Sequence, residues 1–188
     1  MSDGNKTGKG HAGVGVTAWK KVSEKELTIG HRRVMLRRYL MPDGREQEYD
    51  LLHVGDIVCV FPLTADNKVI LAKQYRPGPD CLMLELPGGF CEAGEAISLA
   101  AHRELLEETG YSGRLSHVSS CSLSAYVIGQ RHVFVARDCI KVGEQKLDEN
   151  EFIEVVEMPV EDFKQILRAG ELTDIASGFI CLDHLGLV

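Results

Sequence analysis

Several charged residues between Gly89 and Tyr111 have types and spacings that could do chemistry together: Glu95, Arg103, Glu104, Glu107 and Glu108. The last three glutamates stand at i, i+3 and i+4, so a helix would place their carboxylates side by side. Like charges at this spacing repel, so we expect a cation among them. Carboxylate oxygens, water and phosphate are the usual ligands of Mg²⁺ or Mn²⁺ at phosphate-transfer sites. We interpret the stretch as a candidate metal site, the alternative being an ordinary solvated helix face.

The residues just before this stretch favour a close approach of the backbone to an ion or a phosphate. Leu86-Pro87 precedes the glycine pair Gly88-Gly89, which has no side chains to block such an approach. The Gly88 carbonyl is therefore a candidate metal ligand. Arg103 is a candidate for pairing with a ligating carboxylate and holding it in position, with a surface ion pair as the alternative.

A helix of about four turns is predicted to carry the glutamates. Gly94 is its predicted N-cap and Gly110 its predicted C-terminal stop. Ile97, Ala101 and Leu105 recur at a spacing of four and give this helix a face to bury.

Composition and net charge disfavour nucleic acid and anionic membranes as partners. The chain has 188 residues, a net charge of −7 and 44% hydrophobic residues, enough to fill a substantial core. The negative charge disfavours nucleic acid and anionic membranes as partners. No long apolar segment or hydrophobic signal core is evident, so we expect a cytoplasmic protein whose cysteines, lacking any CxxC pair, are structural thiols.

The pattern of predicted elements divides the chain into three parts: a disordered tail at 1–16, a strand-rich subdomain at 17–54 and a main domain at 55–188. In the main domain, strands are predicted at 56–63, 69–72, 118–123, 132–136 and 154–157, and further helices at 160–169 and 174–185. Mixed sheets packed between helices, in the α+β class, are the expected architecture.

The chain resembles the Nudix hydrolase family. The residues that carry the resemblance fill every position of the Nudix box: Gly89, Glu95, Arg103-Glu104, Glu107-Glu108, Gly110 and the apolar Tyr111. Gln74-Tyr75-Arg76-Pro77-Gly78 before Leu84-Glu85-Leu86-Pro87-Gly88-Gly89 looks like the ADP-ribose pyrophosphatase branch. The resemblance implies a Nudix-type α/β/α sandwich, a homodimer formed through the N-terminal strands, and Mg²⁺-dependent hydrolysis of a nucleoside diphosphate sugar, with Mn²⁺ as a substitute.

The same resemblance implies roles for individual residues. Arg76, with Gln74 beside it, would contact substrate phosphate or nucleoside. Glu149 would be the general base in an acidic loop, with Glu151 or a box glutamate as alternatives for that role. The implied metal ligands are Gly88, Glu104, Glu107, Glu108 and Glu151, with Arg103 and Glu107 also placed in the catalytic set.

The chain departs from that branch beyond the box, where it reads Ser124-Ala125-Tyr126 and then Gln130-Arg131. Tyr126 and Arg131 are therefore further candidates for substrate binding. A tyrosine at this distance resembles the dinucleoside polyphosphate hydrolases of the family, in which a ring could stack on a base. A sensor that binds a nucleotide sugar without cutting it is a second alternative, although the complete set of box carboxylates favours an enzyme.

Overall fold

The computed structural model describes residues 16–188, so residues 1–15 of the predicted tail lie outside the described residues. The chain forms two compact units, the first ending at Val54 and the second running from Gly55 to Val188. Among the residues that the structure describes, no helix is long and apolar enough to cross a membrane.

The first unit contains three antiparallel strands joined in sequence order, β1 (Lys20–Ile29), β2 (Arg32–Leu40) and β3 (Glu46–His53). The turn between β2 and β3 includes Gly44, whose φ of 82° is a conformation that glycine adopts without strain. Cross-strand ion pairs add to the pairing, because Arg33 donates two hydrogen bonds to Glu26, at 3.0 and 2.7 Å. Strands in this region are as predicted.

The second unit is built on one mixed sheet. Its strands are β4 (Ile57–Leu63), β5 (Lys68–Arg76), β6 (Cys81–Glu85), β7 (Tyr111–Ser122), β9 (Gln130–Lys141) and β10 (Glu154–Pro159), and a short β8 spans Val127–Ile128. The sheet order is β10-β5-β4-β9-β7, with β6 paired to β5. Within this sheet, as the structure describes it, β4 and β9 pair in parallel and the other neighbouring strands pair antiparallel, which makes the sheet mixed.

Helices cover both faces of this sheet. They are α1 (Ile97–Thr109), α2 (Val160–Ala169) and α3 (Ile175–His184). Strand β4 is apolar on both sides, so Val58 and Val60 pack with α1 residues such as Leu105, while Phe61 packs with Phe163 of α2 on the opposite face. The predicted α/β/α sandwich with a mixed sheet is thus confirmed. It holds α1 in a fixed position against β4, the strand that also borders the glycine pair.

Candidate active site

An acidic cavity of about 310 Å³ lies beside α1 in the second unit. Its walls come from β5, the segment before α1, α1 itself and the segment after β9: Gln74, Arg76, Gly88, Gly89, Phe90, Glu92, Arg103, Glu104, Glu107, Glu108, Lys146, Asp148 and Glu151. Six of these residues are acidic and three are basic, so the walls carry an excess of potential negative charge. A ligand that is itself anionic would need cations to enter.

The glycine pair runs in extended form along β4. The carbonyls on either side of Gly88 accept N–H groups of β4 at 2.8 and 2.9 Å. Because successive carbonyls of an extended chain point in opposite directions, that of Gly88 points away from β4, and within residues 16–188 it accepts no hydrogen bond. A Cβ at Gly88 would collide with the Val58 carbonyl, and one at Gly89 would lie 2.5 Å from Glu104 Oε1. Gly88 therefore requires glycine, because the clash is with backbone, whereas a side chain at Gly89 would displace the Glu104 carboxylate.

Helix α1 begins later than predicted. Its N-cap is Ala96 rather than Gly94, and no side chain caps it. Glu95, just before the helix, instead accepts the Glu92 N–H at 3.0 Å and forms an ion pair with Arg103 of α1. The predicted stop at Gly110 is confirmed, because this residue has φ 74° and donates its N–H to the Leu106 carbonyl at 2.8 Å.

The Arg103 guanidinium is saturated with acceptors. Its Nε and Nη2 donate to Glu95, each at 3.0 Å, and Nη2 also donates to the Phe90 carbonyl at 3.0 Å. Its Nη1 donates to Glu104 at 2.9 Å and to Glu107 at 3.2 Å. Since a guanidinium has five N–H groups, no donor is left for a substrate. Arg103 therefore orients the carboxylates of α1 and ties them to the segment before it.

Two glutamates of α1 have unusual protonation equilibria. Burial raises the pKa of Glu108, which is only 4% exposed, to about 8, and Glu104 and Glu151 add to the effect. The Gly88 N–H, which donates to Glu108 Oε2 at 3.0 Å, acts in the opposite direction. Burial also raises the pKa of Glu104, despite its bond to Arg103. A bound cation would reverse both shifts by stabilising the ionised carboxylates.

Arg76 enters the cavity from the end of β5 with its orientation fixed. Its Nε donates to Glu85 Oε1 at 2.7 Å, and its Nη2 donates to Glu85 Oε2. Gln74 holds the same carboxylate through a hydrogen bond of 3.0 Å to Oε2. Glu85 is buried, whereas the Arg76 side chain is 43% exposed, and its Nη1 has no partner within residues 16–188. The free edge of this guanidinium is suited to phosphate oxygens.

An acidic segment, defined here as residues 146–151, closes one side of the cavity. Lys146, Asp148 and Glu151 line it, whereas Glu149 does not. Asp148 and Glu151 form a reciprocal turn, because the Asp148 N–H donates to Glu151 Oε2 at 3.1 Å and the Glu151 N–H donates to the Asp148 carbonyl at 2.9 Å. The turn keeps the Glu151 carboxylate at the cavity.

Two predicted substrate-binding residues lie outside this lining. Tyr126 is 60% exposed, and its backbone N–H donates to Ser124 Oγ at 3.2 Å. Arg131 Nε lies 3.0 Å from Asp174 Oδ2, the side chain that caps α3. Asp174 is 9% exposed, and a carboxylate so deeply buried requires a cation nearby. In this structure Arg131 therefore forms an ion pair with the N-cap residue of α3.

Comparison with known proteins identifies the family of this chain. The sequence model of the NUDIX domain matches residues 53–176, which is more than half of the chain. The chain belongs to the Nudix family. It is a Nudix hydrolase that resembles ADP-ribose and ADP-sugar pyrophosphatases.

Its relatives among characterised Nudix proteins include two such enzymes. The ADP-ribose pyrophosphatase of Bacillus subtilis (strain 168) is 31% identical over 142 residues, 74% of this chain and 77% of the relative. The ADP-sugar pyrophosphatase of Mus musculus is 33% identical over 149 residues, 70% of this chain and 68% of the relative. A crystal structure of an ADP compounds hydrolase superposes with a TM-score of 0.76 at 21% identity, covering 93% of this chain and 99% of that one, and supports the fold.

Nudix hydrolases generally use divalent metal ions, and the cavity of this one has the donors for them. All the predicted ligands line it: Gly88, Glu104, Glu107, Glu108 and Glu151. Within residues 16–188, no three His, Cys, Asp or Glu side chains converge as a preformed metal cluster. Arg103 holds two of the α1 glutamates and the Gly88 N–H holds the third. The hard oxygen donors, the unpartnered Gly88 carbonyl and the raised carboxyl pKa values all fit a divalent cation.

The structure adds residues that sequence analysis of this Nudix chain did not assign. Glu85 was quoted only as part of a motif, although it fixes Arg76. Asp148 was overlooked in favour of Glu149, and the spacing Asp148-x-x-Glu151, which is typical of a reciprocal turn, could have identified it. Lys146 carries no signal in the sequence, because its place at the cavity depends on how the segment packs.

Proposed function

We propose that this Nudix hydrolase cleaves the pyrophosphate of a nucleoside diphosphate linked to a sugar, and that ADP-ribose or another ADP-sugar is its substrate. Mg²⁺ is the proposed cofactor, with Mn²⁺ as a substitute. The products would be a nucleoside monophosphate and a sugar phosphate, AMP and ribose 5-phosphate in the case of ADP-ribose.

One observation carries the proposal: a cavity rich in carboxylates, one of them buried, faces an arginine whose free edge can receive a phosphate. A cavity with so many glutamates would repel a pyrophosphate unless divalent cations were bound between them. Gly88, Glu104, Glu107, Glu108 and Glu151 would hold these ions. When bound, they would neutralise the phosphate charge and lower the pKa of a water molecule beside the phosphorus.

The chain's own side chains would then position the substrate and accept a proton. Arg76, held by Glu85, would bind a phosphate oxygen and keep the pyrophosphate in line for attack by water. As water attacks one phosphorus, the bridging P–O bond breaks and the water proton passes to a carboxylate. We place Glu151 first as acceptor, in which case the other four residues hold the ions, because it lines the cavity and is bound neither by Arg103 nor by the Gly88 N–H. Glu149, predicted from the resemblance, is the alternative acceptor.

The identity of the base and sugar rests on the relatives. The two enzymes compared above are named for ADP-ribose and ADP-sugars. Their sequence identity to this chain extends over more than two thirds of each protein, which favours a related substrate class.

A panel of substrates tests the proposal. Phosphate release, coupled to a phosphatase, would be followed with Mg²⁺ on ADP-ribose, ADP-glucose, GDP-mannose, UDP-glucose, NADH and diadenosine polyphosphates. We expect preference for an ADP-sugar, lost on chelation. Preference for the diadenosine compounds would replace the proposed substrate, and nucleotide binding with no hydrolysis of any compound would contradict the proposed reaction.

We also propose a homodimer formed through the strand subdomain at residues 17–54, as the resemblance implies. Sedimentation equilibrium at micromolar concentration would test it. A species of twice the chain mass is expected, and a monomer of 20.8 kDa would contradict it.

A further inference from the structure

The three cationic side chains at the cavity differ in how far they are engaged. All five N–H groups of the Arg103 guanidinium donate to acceptors of the protein, and Arg76 forms a two-point ion pair with buried Glu85. Lys146 is the third. Within the described part of the chain, residues 16–188, its ammonium group makes no ion pair and no hydrogen bond. A lysine among carboxylates that pairs with none of them is available to a ligand.

The backbone at Lys146 is nevertheless fixed. Its N–H donates to the Glu107 carbonyl at 2.8 Å, at the C-terminal end of α1 where carbonyls lack partners within the helix. The neighbouring Gln145 uses its side-chain amide in the same way, donating to the Glu108 carbonyl at 2.6 Å and to the Ile153 carbonyl at 3.1 Å. Both amide hydrogens of Gln145 are thereby used. Gln145 thus joins the end of α1 to Ile153, two residues beyond the acidic segment.

These hydrogen bonds fix the backbone from which the Lys146 side chain extends, while its ammonium group stays unpaired within residues 16–188. The acceptors of these hydrogen bonds on α1 are the carbonyls of Glu107 and Glu108, and the side chains of both residues line the cavity. From there a flexible four-carbon stem carries a compact charge that binds phosphate without strict directional demands. The Lys146 ammonium group could therefore contact a phosphate that is bound near the carboxylates of α1. Lys146 and Arg76 come from different segments of the chain.

We propose that Lys146 binds a phosphate group of the substrate and that Gln145 is the positioning residue that places it. The inference rests on the proposed function, because it takes the ligand of the cavity to be a pyrophosphate diester. It adds a substrate-binding residue from the acidic segment, and it gives that segment a role in affinity in addition to the carboxylates it supplies.

The test measures binding separately from turnover. The probe is an analogue of ADP-ribose in which a methylene group replaces the bridging oxygen, titrated with Mg²⁺ present and followed by calorimetry. Lys146→Ala should weaken its binding by about tenfold or more, as expected for loss of a charge-assisted hydrogen bond. Lys146→Arg should restore affinity to within about threefold of wild type, because it keeps the charge. Lys141→Ala is the matched control, since Lys141 is a paired lysine of β9 that does not line the cavity.

A double-mutant cycle separates positioning from a general structural effect. Gln145→Ala should weaken analogue binding when Lys146 is present, and should have little further effect when Lys146 is already alanine. Additive losses would show that Gln145 acts independently of Lys146 and would overturn its assignment as a positioning residue.

The outcomes distinguish this inference from the proposed function. If wild type binds and hydrolyses ADP-ribose but Lys146→Ala binds the analogue as tightly as Lys141→Ala does, the phosphate contact of Lys146 is wrong and the proposed function stands. If wild type neither binds the analogue nor hydrolyses ADP-ribose, both are wrong.

Discussion

Replacing Glu108 by glutamine should stabilise the metal-free protein while abolishing its activity. The Glu108 side chain is almost completely buried and has its pKa raised to about 8, so ionising it in the fold is unfavourable. Glutamine has nearly the same shape, cannot ionise, and keeps an oxygen that can accept the Gly88 N–H now donated to the carboxylate at 3.0 Å. The substitution therefore removes the cost of a buried charge and keeps the hydrogen bond.

The size of the effect follows from the two pKa values. A pKa raised in the folded protein contributes stability that is complete below the unfolded pKa of about 4.5 and is lost as pH rises to the folded value of about 8. At about 1.4 kcal/mol per pKa unit, the wild type should have lost about 3 kcal/mol at pH 7 and somewhat more at pH 8, relative to pH 4.5. Glutamine does not titrate, so the advantage of Glu108→Gln should grow over this range.

Urea unfolding in EDTA at several pH values from 5 to 8.5 would measure the difference. Glu144→Gln is the matched control, because the Glu144 carboxylate is 92% exposed, and it should change the free energy of unfolding by less than about 0.5 kcal/mol. Adding Mg²⁺ should stabilise the wild type more than Glu108→Gln, since the variant lacks a charged ligand. A variant that is no more stable than wild type at pH 8, or whose advantage does not depend on pH, would refute the argument from burial.

Three further predictions test other parts of the site. Arg103→Ala removes four donors from the carboxylates of Glu95, Glu104 and Glu107 and one from the Phe90 carbonyl, and should lower the free energy of unfolding by about 2–4 kcal/mol. Arg114→Ala, at an 81% exposed side chain, should cost less than about 0.5 kcal/mol, and equal losses in urea unfolding would contradict the role of Arg103. Gln145→Ala should speed proteolytic cleavage within residues 146–151, because two anchoring hydrogen bonds are lost, and an unchanged cleavage rate would oppose this. Glu151→Gln should lower kcat on ADP-ribose by about 100-fold or more, and Glu149→Gln by less than about tenfold; the reverse order would make Glu149 the proton acceptor.

Local patterns in the sequence were enough to predict the helix that carries the glutamates and much of the sheet. The spacing of Ile97, Ala101 and Leu105 identified the buried face of α1, and the predicted helix at 160–169 coincides with α2. These signals depend on residues close together in the chain. The N-cap was misplaced by two residues because Ala96 makes no side-chain cap that a pattern could reveal.

Features that depend on distant residues were not predictable in this way. Strand β6 (Cys81–Glu85) lacks clear alternation and was missed, although it supplies the carboxylate that fixes Arg76. The pairing of Arg131 with Asp174 joins residues from β9 and the start of α3, so no local pattern records it. Lys146 reaches the cavity only because its segment hydrogen-bonds to the end of α1.

The central claim is that the cavity beside α1 hydrolyses a pyrophosphate with the help of a divalent ion. Hydrolysis of ADP-ribose by wild type and by Glu108→Gln, with product identification by ion-exchange chromatography, tests it most directly. We predict AMP and ribose 5-phosphate in equal amounts from wild type with Mg²⁺, none in EDTA, and a rate lower by orders of magnitude for the variant. Release of these products at similar rates by both proteins, or at the same rate in EDTA, would contradict the assignment of this cavity.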